Sequence, residues 1–494
     1  MDQVSDNLEE TVHASDHARV EALGDSLALG PLDHVSSEHV FLAVCFAYIS
    51  DISYDRLRSA LVHVLDRYPH LTGRFHIDSS GNRSIHRFGS GAILQSATTS
   101  CRLSEARDEE GRIDITRLPG AGSVLVPSYD GGREDGDPIL SIKMTIFAGG
   151  GMVLGVRAPH SVCDASGFFG LVGHLAKAYD ATLAQEVSHP PIPDIAHRPY
   201  IPLDESRIPS EQGPSKTKYP ILEQLAPPIH SPDPGPEIEG RFLHFDEAYL
   251  QKLKEEAKPA HEITSKYRAL TAHLWQLSHR SARISRRRRR QSSAPDLEVH
   301  PSVGLTIAIN MRKRLPSIPP DLIFNAVLPC STHLPSDLLH SSDLRTVAEE
   351  INTMIKQDHF IHHHSISSTI QHIHDCQEKS RIDFGWAGHF VSTQWPGDMY
   401  ETSTMDGIRP DLVSLPILPG VVDGLLIVLP PPVKRIQRGL EEVVAEGEGL
   451  VAVLCLEKDT WDVIDELDLL NSDQARLKPG HNWQQQPIVF SSLV

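Results

Sequence analysis

The sequence predicts a mixed α/β protein built as two layered domains. Three observations predict it. Stretches of period-2 hydrophobicity alternate with stretches of period 3.6 in both halves of the 494-residue chain. His189 to Glu239 holds thirteen of the 36 prolines, which excludes a helix or an interior strand there and reads as a crossover linker between the halves. The length suits two or three domains, each large enough to bury its own core. The expected division is an acidic flexible extension over 1–28, a first domain over 29–188, the linker over 189–239 and a second domain over 240–494.

Met1 to Gly24 is acidic and polar, with no basic start followed by an apolar run. A loosely ordered extension, with no secretory leader, is the expectation. The body begins near Leu29-Gly-Pro-Leu-Asp33. His39 to Ile49 is an apolar run of strand length, and Tyr54 to Tyr68 sets Leu57, Leu61, Val64 and Leu65 on one helical face. Tyr68-Pro-His-Leu-Thr-Gly-Arg74 stops that helix and turns into Phe75-His-Ile77. Arg102 to Asp137 is rich in Gly and Asp, a long connection with a short strand at Ser123 to Val126. Leu140, Ile142, Met144 and Ile146 alternate with polar residues as in a half-buried strand. Gly149-Gly150-Gly151 supplies a turn, and Met152 to Ala158 is the return strand. Phe168, Leu171, Val172, Leu175, Ala176 and Tyr179 then mark one face of a helix.

The second half opens with a strand at Arg241 to Phe245. Ile263 to Trp275 is a helix capped by Thr264 or Ser265, with Leu270, Leu274 and Leu277 inward. Arg286 to Arg290 reads as a solvated loop in an acidic protein. Val303 to Ile309 is a strand ending in Asn310-Met-Arg312. Leu344 to Asp375 is mostly helical and rich in histidine, but His359 with His363 is its one clean i, i+4 pair, and no acidic or cysteine partner stands at a metal-site spacing. No metal is expected. Leu425 to Leu429 and Gly449 to Leu456 are strands, and Thr460 to Leu470 closes the chain as a helix.

A net charge of −19 argues against general nucleic-acid binding. No apolar run reaches the roughly 20 residues of a membrane span. The six cysteines lie without a Cys-x-x-Cys pair, as free thiols in a reducing compartment do. A cytoplasmic monomer is the expectation.

Chemistry concentrates at Pro159-His-Ser-Val-Cys-Asp-Ala-Ser-Gly167. His160 lies just past a strand end at the mouth of a helix, where an imidazole held against a cleft can take a proton from an alcohol or amine. Spacing alone proves little: His-x-x-x-Asp recurs at His333 to Asp337, where Pro335 and polar surroundings indicate a plain loop. Asp164 or Ser166 also suits a simple helix cap.

Taken together, the pieces resemble the BAHD acyltransferase superfamily, and within it the fungal branch of the trichothecene 3-O-acetyltransferases. Tyr68 to Arg74 resembles the family's "YPxLAGR" turn and His160 to Asp164 its HxxxD motif. Thr264 to Trp275 is similar to its "ST..AL.A..W" helix, and Asn310-Met-Arg312 to its "xxR" strand end. The family's DFGWG motif has two counterparts: Asp383-Phe-Gly-Trp-Ala387 by letter and Ser403-Thr-Met-Asp-Gly407 by context, the second preferred.

The resemblance implies two chloramphenicol-acetyltransferase-like domains, each a mixed sheet with flanking helices, meeting at a central tunnel. It implies transfer of an acyl group, acetyl foremost, from acyl-CoA to a hydroxyl of a small secondary metabolite, with an amine the second choice and no permanently bound cofactor. His160 is then the general base. Asp164 turns away to form a bidentate pair with Arg312, Gly167 supports the loop, and Ser392, Thr393 and Trp395 line the tunnel. Three rivals stand beside it: Cys163 as a covalent nucleophile, a carrier-dependent condensation domain, from whose doubled histidine and glycine Pro159 and Ala165 depart, and a catalytically inactive ligand-binding homologue.

Overall fold

A computed structural model describes residues 4–36, 40–128, 136–183, 199–200, 236–258, 264–292, 302–356, 363–377, 379, 388–416, 422–438, 441–445, 447–470 and 475–477. Nearly all of the proline-rich segment, His359, His362 and Asp383 to Ala387 lie outside the described residues, as do the side chains of His363 and His364.

The strands of the two large sheets are, in chain order, β1 (Val4–Val12), β2 (Phe41–Tyr48), β3 (Ala92–Thr99), β4 (Ser141–Phe147), β5 (Met152–Pro159), β6 (Ile238–Phe245), β7 (Ser302–Asn310), β8 (Val327–Pro335), β9 (Phe390–Gln394), β10 (Leu412–Ser414), β11 (Leu425–Leu429), β12 (Leu450–Glu457) and β13 (Ala475–Leu477). The main helices are α1 (Tyr54–Arg67), α2 (Ala165–Ala181), α3 (Lys266–Ser292), α4 (Leu344–Lys356) and α5 (Lys458–Glu466). The first sheet has the order β1-β3-β4-β5-β2-β10 and the second β8-β7-β9-β11-β12-β6-β13. Each mixes parallel and antiparallel pairs. Helices cover them because each presents one apolar stripe, as α2 does with Phe168, Leu171, Val172, Leu175, Ala176 and Tyr179, all buried.

The β4–β5 hairpin turns through Gly149, Gly150 and Gly151, all at positive φ, a conformation that costs glycine little. At β5 the chain comes so close to its neighbour that a Cβ on Gly155 would sit 2.1 Å from the Leu125 carbonyl oxygen. None of the described helices is long and apolar enough to cross a membrane.

Five expectations are corrected here. The acidic extension is not loose: β1 forms an antiparallel ladder with β3, and Ser15 and Asp16 bind the Asp66 carboxylate through their backbone N–H groups at 2.7 and 2.8 Å. Its outward residues are polar and its partner strand is distant in sequence, so no apolar alternation announced it. Ser123 to Val126 is not a strand. Ser123 to Leu125 close the 3₁₀ segment Pro119–Leu125, just after a left-handed turn at Gly120, Ala121 and Gly122 whose positive φ values break any extended run before them. The arginine run is not a loop but the end of α3, where Arg288 meets Glu466 at 2.6 Å and Arg289 meets Asp459 and Glu457 at 2.6 and 2.8 Å. Arginine is a good helix former, and acidic groups on and beside α5 offset the like-charge repulsion. His333 lies in β8 and Asp337 in the helix Ser336–Ser341, again a strand-to-helix junction. There, however, Asp337 is exposed and paired with Arg283.

The fifth correction concerns the domain boundary. β10, far beyond the linker, pairs with β2 in the first sheet, so the second half of the chain reaches back into the first domain. Its approach is fastened at the Ser403 to Gly407 turn. Tyr48 donates to the Ser403 carbonyl at 2.6 Å, and Arg56 grips Asp406 through two bonds of 2.6 and 2.7 Å. Asp406 and Gly407 take positive φ in that turn.

Candidate active site

His160 continues β5 by one residue, its N–H donating to the Val40 carbonyl at 2.8 Å. The chain then turns, with Val162 N–H on the Pro159 carbonyl, and Asp164 starts α2. Asp164 Oδ1 accepts the Gly167 N–H at 2.8 Å, the cap that the next helix requires. Its Oδ2 accepts Arg312 Nη1 at 2.8 Å and the Ala326 N–H at 2.7 Å.

Asp164 is therefore both a cap and one half of an ion pair, and the two readings of its role are not exclusive. The expected bidentate fork is corrected to a single bond, because the cap already occupies Oδ1. Arg312 spends its remaining donors on the carbonyls of Leu322 and Phe324, both at 2.8 Å from Nη2. The pair is sealed, with side chains 6% and 2% exposed for Arg312 and Asp164. Gly167 is required by proximity: a Cβ there would lie 1.9 Å from the Ile323 carbonyl oxygen. Asn310 adds a further tie, donating to Ser166 Oγ at 2.9 Å.

The His160 side chain is half-buried, with Nδ1 sealed from solvent and unpartnered. Burial holds its pKa below the usual histidine value, opposed in part by its own backbone carbonyl, then by the Asp164 carboxylate and the Asn325 side chain. A ring in this setting is neutral near pH 7, the state a proton acceptor needs. Cys163 is a different case. It is 2% exposed, and burial, with Asp164 and Asp33 nearby, pushes its thiol well above the ordinary range. A protonated, buried thiol is a poor nucleophile, which removes the support for a covalent route.

Three side chains of this site were not singled out in the sequence. Asp33 Oδ1 accepts both the N–H and Nδ2 of Asn325, at 2.9 and 3.0 Å. Asn325 Nδ2 also donates to the His160 carbonyl at 2.9 Å. Arg83 Nη1 donates to the Asp33 carbonyl at 2.8 Å and to Ser161 Oγ at 2.9 Å. The one sequence signal was Gly30-Pro-Leu-Asp33 itself, a tight turn ending in an acid; nothing marked Asn325 or Arg83.

Burial raises the Asp33 pKa from 3.8 to about 7, against the hydrogen bonds that lower it. A carboxyl with a raised folded pKa contributes stability that is complete below its ordinary value and is lost as pH rises through the folded value. Asp33→Asn abolishes that loss, so the stability of the variant relative to wild type should rise between about pH 4 and pH 7. Urea denaturation across this range measures it. A pH-independent difference would mean that Asp33 titrates normally.

Of the candidates on β9, Ser392 is turned into the core, where its hydroxyl meets Tyr267 at 2.9 Å and Thr271 at 3.0 Å on α3. Thr393 is half-buried and, by strand alternation, faces away from α3. Trp395, on that same side, packs edge-to-face on Phe169 of α2 at 5.4 Å. It is an interface wedge between the domains. A separate cavity between the sheets, bordered by Arg112, Phe242, His244, Tyr400 and Val413, lies at the other end of β5. Val413 aligns through Phe46 with Leu154, five residues before Pro159, or roughly 16 Å of strand.

Comparison with known proteins places the chain in a family. A profile described as Transferase family covers residues 3–403. The chain belongs to this family, the BAHD acyltransferases. It is 25% identical over 317 residues to tryptamine hydroxycinnamoyltransferase 2 of Oryza sativa subsp. japonica, covering 62% of this chain and 64% of that one. It is thus matched over slightly less than two thirds of that relative's length. It is 24% identical to agmatine coumaroyltransferase-1 of Hordeum vulgare, over 85% of this chain and 92% of that one.

Among solved structures, vinorine synthase superposes with a TM-score of 0.63 at 17% identity, covering 94% of this chain and 98% of that one. F. sporotrichioides TRI101, complexed with coenzyme A and T-2, gives 0.64 at 15%, covering 91% and 99%. At these identities the structural likeness speaks for the two-domain BAHD fold.

Proposed function

We propose that this BAHD protein moves an acyl group, acetyl foremost, from acyl-CoA to a hydroxyl of a small secondary metabolite, by direct transfer and with His160 as general base. The observation that carries the reading is the grip on the His160–Asp164 loop: both Asp164 oxygens are taken, by Gly167, Arg312 and Ala326, leaving the neutral His160 ring as the group available for proton transfer. The acceptor hydroxyl gives its proton to His160 Nε2 as its oxygen attacks the thioester carbonyl. The tetrahedral oxyanion collapses with cleavage of the C–S bond, and the departing CoA thiolate recovers the proton from His160. Such a base supplies about 10²- to 10⁴-fold; positioning of the two substrates supplies more.

In this reading acyl-CoA is a co-substrate, no cofactor is permanently bound, and the chain works as a cytoplasmic monomer of the family's fungal branch. Thr393 and Trp395 stand on the interdomain side as candidate contacts of the substrates. A second reading, amine acylation, is favoured by the names of relatives, which include tryptamine, agmatine and spermidine acyltransferases. Neutral His160 serves either acceptor.

Thiol release from acetyl-CoA and coumaroyl-CoA, each with a panel of alcohols and of amines, tests the proposal. Release that depends on an alcohol supports the first reading, and release that depends on an amine the second. No turnover of any pair would overturn both and leave the carrier-dependent and inactive-homologue readings.

A further inference from the structure

The backbone of His160 is held from outside its own loop. Asn325 Nδ2 donates one hydrogen to the His160 carbonyl and the other to Asp33 Oδ1. Asn325 N–H donates to the same Asp33 oxygen, and Asp33 Oδ2 accepts the Gly30 N–H at 2.9 Å. The partners assign the amide orientation, since a flipped Asn325 would set an oxygen against two acceptors. Asp33 is 1% exposed and Asn325 3%. The next residue, Ala326, donates its N–H to Asp164. Two adjacent residues of one loop therefore grip the first and last members of the His160–Asp164 motif, one by a side chain and one by the backbone.

A buried acid is costly in a fold, and stability alone favours an apolar replacement. Its placement here serves geometry. We propose that Asp33 and Asn325 are positioning residues that fix the His160 carbonyl, and with it the direction of the imidazole. The inference rests on the reading of His160 as the base. Rotation about the His160 backbone swings the ring, and a misplacement of about 1 Å costs up to about 10²-fold in rate. Asp33 acts through Asn325: its Oδ1 aligns the amide so that the second hydrogen points at His160.

The test uses the full chain with acetyl-CoA and an acceptor found in the panel above. Asn325→Ala and Asp33→Ala are expected to lower kcat per CoA-binding site by about 10- to 100-fold, with the KM for acyl-CoA within about threefold of wild type. Asp33→Asn keeps an acceptor oxygen at Oδ1 but sets its N–H₂ against the Gly30 N–H, so it should lose some stability and, once folded, retain kcat within about threefold. The double variant Asp33→Ala/Asn325→Ala should fall no further than either single variant, because the two act in series.

An independent readout is the rate at which diethylpyrocarbonate modifies His160, followed by peptide mass spectrometry. It should change by at least about threefold in the alanine variants, as expected when accessibility and geometry of the ring nitrogen change, and stay unchanged in Asp33→Asn. Should Asn325→Ala not fold, Asn325→Ser, too short to reach both partners, takes its place. Wild-type kcat and wild-type modification rate in a folded Asn325 variant overturn the proposal. His160→Ala run alongside separates the two failures: if it keeps wild-type turnover, the base reading is wrong, and the modification rates of the other variants still report whether Asn325 sets the ring.

Discussion

Replacing His160 by alanine is expected to lower turnover by at least about 100-fold while leaving the melting temperature and CoA binding nearly unchanged. The ring is half-buried and its Nδ1 makes no hydrogen bond, so its loss removes little from the fold. Cys163→Ala, two residues before the helix, should be nearly silent in turnover, since its buried thiol is held protonated. The wild-type pH profile of kcat/KM should be flat around neutrality and decline only below the usual histidine range, because burial lowers the His160 pKa and protonation removes the base. Trapping of an acyl-cysteine would refute direct transfer, and a His160→Ala enzyme with wild-type turnover would refute His160 as the base.

Asp164→Ala and Arg312→Ala are each expected to destabilise the protein by about 3 to 5 kcal/mol, the usual result of stripping one member from a buried ion pair, and to lower activity with it. The larger effect falls on Arg312→Ala in the loop beyond it, where the Leu322 and Phe324 carbonyls lose their donor. Asp164→Asn is the more discriminating variant. It keeps a cap oxygen for Gly167 but turns an amide N–H₂ toward Arg312 Nη1 and the Ala326 N–H, three donors with no acceptor among them. If capping were the whole of Asp164's role, Asp164→Asn would be nearly neutral in chemical denaturation. If the pair dominates, it will be almost as damaging as alanine. The double variant Asp164→Ala/Arg312→Ala should lose less than the sum of its parts, because neither charge is then left without the other.

The local elements were legible wherever one face of a strand or helix is buried against its own domain. β2, α1, the β4–β5 hairpin, α2, β11 and β12 all followed from apolar spacing, because burial of one face is a demand the chain must meet in its own letters. The junction from His160 to Asp164 was legible for a related reason: a strand end, a cap and a helix start are local events. What could not be read was everything held by partners remote in the chain. β1 is an edge strand that satisfies its backbone on β3, and a polar exterior leaves no pattern. The arginine run became helix because acidic groups of α5 and its flank lie beside it. Ser392 turned inward because hydroxyls on α3 receive it.

The same division runs through the site. Sequence by itself determined where a candidate for the chemistry stands: a histidine at a strand end, with an aspartate four residues on. Only the tertiary structure decided how that histidine is held. Asp33 and Asn325 stand 292 residues apart, and Asn325 and His160 stand 165 apart. They meet because elements of both sheets pack on one another there, and a buried polar group must find its hydrogen bonds wherever packing delivers them. Spacing records what a residue's neighbours along the chain require; it carries no trace of which distant carbonyl or carboxylate the closed interface will place in reach.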